Sequence, residues 1–437
     1  MASTASSTQV PPRIAVVGGG PVGLTFASIL QKHQRDLCKQ QLSTEAPLFT
    51  LQVFEADQDP HSRRQGGSLD LRQESGLQAL QAAGLLDAFH ALARPEGQDL
   101  VMLDKNGTVL YRETAADDQS DAYHPEIDRP QLTQLLRDSL DANTIQWGHK
   151  LVRVVPGRTP SEPHVLEFQN GRTAVADLVV GADGAWSRVR PLVSPHQPAY
   201  SGVIFMECAI AGFDRRFPAS AKLVGNGTLY SFSQGNNLYA QRNADGVMRV
   251  CVALRVDADW HRNSRVALAD NDAERVQLLL DEHFPDWCPE LCELLKTAAV
   301  PADNDTDAAS SMDLWIRPIY ALPIGHSWSH KRGITLLGDA AHLMSPCAGE
   351  GVNTGMADAL ELADHLKGFL AAKVDDATVV DLESSVTAFE IAMFERAGKA
   401  AARSAANLEV FFAPRVPTRL DAEKIFNPPA SSTAVSA

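Results

Sequence analysis

The chain has 437 residues, 44% of them hydrophobic, which is enough for two or three domains or for one large interlocked unit. Its 39 basic against 54 acidic residues give a formal charge of -15, which disfavours nucleic acid and anionic membrane, since both select basic surfaces. The six cysteines form no C-x-x-C pair, and Cys288 and Cys292, although spaced to share a helix face, have no His or Cys cluster beside them. No metal site is therefore expected, and free thiols in a reducing, cytoplasmic compartment fit better.

Residues 1–11 read as a flexible tail, Ser/Thr/Ala-rich and without the apolar stretch of a signal peptide. No run of about 18 apolar residues offers a membrane span. The apolar strand Arg13-Ile14-Ala15-Val16-Val17 then leads into Gly18-Gly19-Gly20-Pro21-Val22-Gly23 and a helical run over 24–31. In this G-x-G-x-x-G pattern the first glycine allows a tight turn, the second admits a pyrophosphate, and the third lets helix and strand pack closely. A strand over 49–54 ends in Glu55, whose carboxylate can accept hydrogen bonds from ribose hydroxyls. Residues 73–92 read as one or two short helices broken near Gly84. A helix over 129–140 has Asp128 as its cap, Pro130 in its first turn, and an apolar stripe of Leu132, Leu135, Leu136 and Leu140. Residues 177–190 repeat the order of strand, glycine turn at Asp183-Gly184, and helix.

From 201 to 257 the texture changes. Strands are expected over 203–211, 222–232, 237–241 and 247–256, with turns at Gly225-Asn226-Gly227, Gln234-Gly235-Asn236 and Ala244-Asp245-Gly246. That is an antiparallel sheet of a kind that can cover one side of a ligand cavity. Helices are expected over 270–284 and 290–298, and one long Ala-rich helix over 382–411, read as a strut. Residues 428–437 read as a second flexible tail.

The most informative stretch is Gly338-Asp339-Ala340-Ala341-His342-Leu343-Met344-Ser345-Pro346-Cys347-Ala348-Gly349-Glu350-Gly351-Val352-Asn353. It follows the apolar run Ile334-Thr335-Leu336-Leu337 and leads into a helical pattern over 353–366. A carboxylate at a strand end can hold a sugar hydroxyl. A glycine loop lets backbone approach a flat ring, and a helix N-terminus offers free N–H groups and partial positive charge. These devices suit a flavin, whose reduced ring becomes anionic. The natural N–H-rich patch for that ring is the loop of Pro346, Gly349 and Gly351. His342 reads as packing against the loop rather than as a base.

Taken together, the three segments resemble the class A FAD-dependent monooxygenases related to p-hydroxybenzoate hydroxylase. Within that family, Arg63-Arg64-Gln65-Gly66-Gly67-Ser68-Leu69-Asp70-Leu71, Pro125-Glu126-Ile127-Asp128-Arg129, Trp147 with Lys150-Leu151-Val152, and the 338–353 run resemble the tetracycline-inactivating branch. The resemblance implies an α/β fold: a Rossmann-like FAD-binding domain, an interleaved antiparallel-sheet substrate domain and a long C-terminal helix. The expected division is 12–86, 115–190 and 317–350 for the FAD domain, 87–114 and 191–316 for the substrate domain, and 351–415 for the helical region.

The FAD contacts carried over by resemblance are Gly18, Gly20, Gly23, Glu55, Arg63, Arg129, Asp183 and Asp339, with Gly66 and Asp70 near the flavin. On their residues alone, Gly66 to Asp70 would read as a polar turn, Arg129 as a surface charge at a helix start, and Asp183 and Asp339 as turn-formers. The arginine that follows the family's ribose-binding glutamate is Ala56 here. The substrate side departs further. Glu207, Thr228, Arg249 and Cys251 stand where the tetracycline enzymes carry glutamine, arginine, histidine and glycine, and Cys347 replaces a loop aromatic. Tyr239 and Phe412 keep an aromatic type. These seven are the substrate-binding candidates. Arg249 and Glu207 read either as a salt bridge closing the pocket wall or as a seat for an anionic phenolate, enolate or carboxylate.

The implied activity is insertion of one oxygen atom from O2 into an electron-rich small molecule, phenolic, enolic or polyketide-like, through a flavin C4a-hydroperoxide. No catalytic side chain is required, because the cofactor carries the hard chemistry. No second G-x-G-x-x-G is present, so NADPH is expected to visit transiently. The expected protein is a monomer or weak homodimer. A halogenase, an alkene reductase and a noncatalytic flavoprotein are the alternatives. Trp315-Ile316-Arg317-Pro318 lacks the W-x-W-x-I-P of halogenases.

Overall fold

Five parallel strands form the sheet on which the glycine turns sit. Their order is Ile334–Leu336, Leu178–Gly181, Arg13–Val17, Thr50–Phe54 and Ile145–Gln146, so segments far apart in sequence lie side by side. The computed structural model describes residues 11–40, 47–60, 62, 66–114, 124–159, 161–300, 314–375 and 381–426. Arg63 lies outside these.

The helix Pro21–Gln40 follows the first turn, with proline in its opening position where a missing N–H costs nothing. Leu24, Phe26, Ala27, Ile29 and Leu30 are fully buried, so the helix is enclosed on all sides over its first half. It packs against the sheet and against the helix Gly351–Asp375. At roughly 1.5–3 kcal/mol for each large apolar side chain, this seam fixes the first glycine turn relative to the third.

A second sheet has seven strands in the order Trp315–Ala321, Ala199–Ile210, Met248–Arg255, Asn236–Arg242, Thr228–Ser233, Leu100–Leu103 and Val109–Glu113. All its pairings are antiparallel except that of Thr228–Ser233 with Leu100–Leu103. One face packs on the helices Asp272–His283 and Pro289–Lys296 through Ile204, Met206, Val250 and Val252. The other carries Phe205, Phe232, Cys251 and Ala253 toward the end of the long helix Leu382–Phe411. The Trp315–Ala321 strand crosses the division expected at residue 317 and belongs wholly to this sheet.

Four local expectations are corrected. Residues 222–224 are not strand but the end of the helix Pro218–Val224, which Gly225 stops at φ 80°, and the strand begins at Thr228. No helix follows Asp183, only a short 3-10 turn, Arg190–Leu192. Asp183 and Ser187 explain this, since their side chains accept the N–H groups of Arg188, Val189 and Arg190 at 2.7, 3.1 and 2.9 Å and so hold a non-helical backbone. Asp128 precedes the helix Arg129–Asp138 but does not cap it. Its carboxylate accepts instead from Arg94, Asn243 and the Ala244 N–H at 3.1, 3.0 and 3.1 Å, among them a charged donor. Cys288 stands just before the helix that holds Cys292, in extended backbone, rather than on its face. The turn at Gln234-Gly235 is as expected, with φ of 49° and 86°, the left-handed pair a two-residue hairpin needs. Among the described residues no helix is long and apolar enough to cross a membrane.

Candidate active site

The first glycine turn is a cradle that side chains would fill. A Cβ at Gly18, where φ is 108°, would collide with the Ala182 carbonyl. A Cβ at Gly23 would collide with the Gly18 carbonyl, whereas one at Gly20 would meet nothing within 4 Å. The open side of the turn is thus at Gly20, over the start of the helix Pro21–Gln40, where backbone N–H groups and the helix dipole favour an anion. Glu55 holds this turn, accepting the N–H groups of Gly19 at 2.7 Å and Asp57 at 2.9 Å. Each oxygen keeps a lone pair for a further donor, as a ribose contact requires.

In the second segment Asp183 uses Oδ2 for the Arg188 N–H, while Oδ1 is buried and without a partner among the described residues. Burial raises its pKa against the hydrogen bonds that lower it. Arg190, almost completely buried, donates to the carbonyls of Ala185 at 2.7 Å and Ala340 at 3.1 Å. It ties the second segment to the third.

In the third segment Gly338 takes φ 57° and ψ -138°, and Asp339 opens a four-residue helix with its side chain exposed. Asp339 makes no hydrogen bond among the described residues, and so is free toward a ligand. His342 is buried with Nε2 at 2.5 Å from Asp358. Asp358 also accepts from the Gly338 N–H at 3.0 Å and from Arg396 at 2.9 Å. Burial works against the charged His342, but Asp358 outweighs it and its pKa is raised. Burial likewise opposes ionisation of Asp358, and His342 and Arg396 together hold its pKa low. The histidine therefore packs beneath the loop as an ion-pair partner.

The loop after it is clamped from two sides. Glu350 is buried and accepts from Arg72 at 3.2 Å and from Arg403 at 2.7 and 2.5 Å. Arg72 also donates to the Ala348 carbonyl at 3.0 Å, and Asn407 to the Cys347 carbonyl at 3.1 Å. Gly349 sits at φ 63°, and Gly351 begins the helix Gly351–Asp375. N–H groups held this way need no rearrangement to meet developing negative charge.

A short antiparallel pair, Ser68–Asp70 with Glu126–Asp128, lies between this loop and the seven-stranded sheet. Leu69 and Ile127 point to the core, so Ser68, Asp70, Glu126 and Asp128 share the other face. Asn353 links the pair to the loop helix, donating to the Asp70 carbonyl at 2.8 Å and accepting the Arg72 N–H at 2.9 Å. Asp70 keeps 38% of its side chain accessible, yet burial raises its pKa. A carboxyl both reachable and surrounded by protein lines a cleft. Arg129 is similar: half-buried, with its pKa lowered first by burial, opposed by Asp339 and Glu207 and lowered further by Arg317 and Arg249. Its guanidinium has no hydrogen bond or ion pair among the described residues.

Across the cleft, register puts the substrate candidates on one sheet face. Glu207 and Tyr239 each oppose Cys251, and Arg249 opposes Gln241, which opposes Thr228. Cys347 and Phe412 join the same apolar cluster, with Phe232 stacked on Phe411 at 4.5 Å. Burial pushes the Cys251 thiol and the Tyr239 phenol well up, so both stay neutral at ordinary pH. Arg249 lies 3.9 Å from Glu207, beyond hydrogen-bond range, and Arg317 reaches the same oxygen at 3.9 Å.

Comparison with known proteins accounts for this arrangement. The family model for an FAD binding domain matches residues 12–218 and 319–387. Monooxygenase penA of Penicillium thymicola is 32% identical over 423 residues, covering 89% of this chain and 92% of that protein. The chain belongs to the class A FAD-dependent monooxygenases. Among solved structures, Klebsiella pneumoniae HpxO with FAD and uric acid superposes with a TM-score of 0.70 at 17% identity, covering 92% of this chain and 89% of that one. Tetracycline destructase Tet(55) does so at 0.67 and 18%, covering 95% and 93%. At these identities the two structures show the fold of this monooxygenase and nothing of its substrate.

The residues of the monooxygenase fit FAD: an open glycine cradle, a carboxylate at the second strand end, and a free carboxylate and guanidinium facing the cleft. Sequence reasoning assigned no role to Arg190, Asn353, Glu350, Asp358 or Arg317. Arg190, Glu350 and Asn353 lie within the glycine-turn segments, which was the only signal they gave.

Proposed function

We propose that this FAD-dependent monooxygenase takes its electrons from NADPH, bound transiently, and inserts one oxygen atom of O2 into an electron-rich small molecule of phenolic, enolic or polyketide-like type. When bound, FAD supplies the electron transfer and oxygen activation that no side chain can. In this reading Gly18, Gly20, Gly23 and Glu55 hold the adenosine and pyrophosphate end. Asp183, Asp339, Arg129, Gly66 and Asp70 hold the remainder, and the loop of Pro346, Gly349 and Gly351 offers N–H groups to the ring.

The observation that carries the substrate side is an apolar, aromatic sheet face interrupted by one ionic group, Glu207 between Arg249 and Arg317. Tyr239, Cys251, Phe412 and Cys347 exclude water and give a flat molecule its surface. The charged group fixes its orientation, which is how a mostly apolar site obtains selectivity. The uric acid of HpxO is an example of a planar heterocycle on this fold. The test is a screen of metabolites for NADPH oxidation with matching O2 uptake by the FAD-loaded enzyme, repeated with NADH. A compound that accelerates both and gains one oxygen atom supports the reading. Oxygenation driven by NADH alone would remove the NADPH assignment, and NADPH consumption that no compound accelerates would count against the substrate class.

A further inference from the structure

Glu207 offers one carboxylate to two guanidiniums. Arg249 and Arg317 both stand 3.9 Å from its Oε1, and among the described residues neither guanidinium makes a hydrogen bond. The Arg249 side chain is 9% accessible and that of Glu207 14%. Donors of a guanidinium buried to this degree ordinarily find acceptors, because leaving them unmet costs free energy. The unpartnered guanidinium nitrogens of Arg249 are not fully enclosed. On its other side Arg249 presses on Gly66, where any Cβ would collide with the guanidinium. It thus bridges the sheet and the segment expected beside the flavin. Arg317 lies at the rim, 44% accessible, over the rings of Phe205 and Trp315 at 5.9 and 5.7 Å. Two guanidiniums against one carboxylate leave a single positive charge. Arg129 and Asp339 on the flavin side offset each other.

We infer that Arg249 and Arg317 form a seat for one anionic group of the substrate, a carboxylate, enolate or phenolate, with Glu207 as the resident counter-ion whose place that group takes. The inference rests on the reading of this face as the substrate wall. A planar oxyanion suits the seat, because the forked N–H groups of arginine match two oxygens at once. Glu207 then acts as a selector. It keeps the buried guanidinium neutralised when the site is empty, and it repels a second negative charge, so monoanions are preferred.

The experiment is equilibrium binding to the FAD-loaded enzyme, read by the flavin absorbance band and by calorimetry, with benzoate and its neutral isostere benzamide as probes. Wild type is expected to bind benzoate at least about tenfold more tightly than benzamide. Arg317→Gln, at an accessible position that leaves folding intact, should remove most of that preference while changing benzamide affinity less than about twofold. Arg249→Gln should do the same where melting shows it folded. Glu207→Gln should tighten benzoate several-fold. Benzoate bound no better than benzamide, undetectable binding of both included, overturns the seat. So does an Arg317→Gln variant that keeps the preference. Binding needs no turnover, so a seat that fails while NADPH is still consumed on a substrate fails alone. A seat that binds benzoate in a protein that oxygenates nothing leaves only the broader reading wrong.

Discussion

Asp70 and Glu126 face each other directly across the two-stranded sheet, with both carboxyls on the face that looks toward the cleft. Burial raises both, Glu126 to about 7. Ser68 and Arg94 lower Glu126, Asp70 and Asp128 raise it, and Gln241 stands 3.5 Å away. A carboxyl raised in the folded state binds more protons folded than unfolded between its ordinary 4.5 and about 7. Stability therefore falls as pH rises through that window and stays reduced above it. After allowance for Arg94, the loss is on the order of 2 kcal/mol. Glu126→Gln should melt above wild type at pH 8 and level with it at pH 5. A variant less stable than wild type at pH 8 would mean that the ion pair with Arg94 dominates.

Arg190 joins two motifs that sequence keeps 150 residues apart, through the Ala340 carbonyl. Its loss strands that carbonyl and the Ala185 carbonyl, and charged hydrogen bonds contribute about 1.5–3 kcal/mol each. Arg190→Ala should lower stability by roughly 2–4 kcal/mol in denaturant melts of the FAD-free protein. FAD affinity should fall with it, since both loops shift. A wild-type denaturation midpoint would show that the guanidinium is dispensable.

The glycine turns were legible because each of their residues is dictated locally: Gly18 and Gly23 by close backbone approach, Gly338 by its φ of 57°. The long helix was legible for a similar reason. Its start, Asp381 accepting the Ser384 N–H at 3.0 Å, and its Ala-rich body are local signals. The helix Pro218–Val224 was missed although Pro218 marked it, because Lys222-Leu223-Val224 is short enough to read as the start of a strand, with Gly225-Asn226-Gly227 as a bulge within it rather than the break after a helix. Asn353 and Arg72 bond across 281 positions, and Arg317 reaches Glu207 only because two strands pair with a bulge between Tyr200 and Ile204. Contacts of that kind have no local signature. The same holds for Asp128, a good helix cap by type that long-range donors claim instead.

Asp339 is exposed at the cleft and has no hydrogen bond to lose within the described chain, so its removal should cost little stability. Asp339→Ala should instead weaken FAD binding by at least about tenfold, or ~1.4 kcal/mol, measured by flavin fluorescence quenching. Its melting temperature without FAD should match wild type. Wild-type protein that takes up no FAD, or a variant that binds it normally, would contradict the role given to this carboxylate.

Tetracycline is the sharpest negative test of the substrate face. Glu207 stands where the tetracycline-inactivating enzymes are expected to have a neutral glutamine, and it is held near Arg249 and Arg317. Thr228, expected by resemblance to stand where they carry an arginine, is buried at the start of its strand, so no long donor reaches out from there. Cys251, expected by resemblance to stand where they carry glycine, has its side chain between Glu207 and Tyr239 on the neighbouring strands. A site built for the drug's polar edge would thus find one charge added, one donor lost and a floor raised. Mismatched buried polar groups discriminate far more strongly than mismatched methylenes. Tetracycline should accordingly be turned over with kcat/KM at least about 100-fold below that of the best compound from the NADPH screen. Comparable values for the two, with one oxygen gained by the drug, would mean that these three positions do not govern recognition.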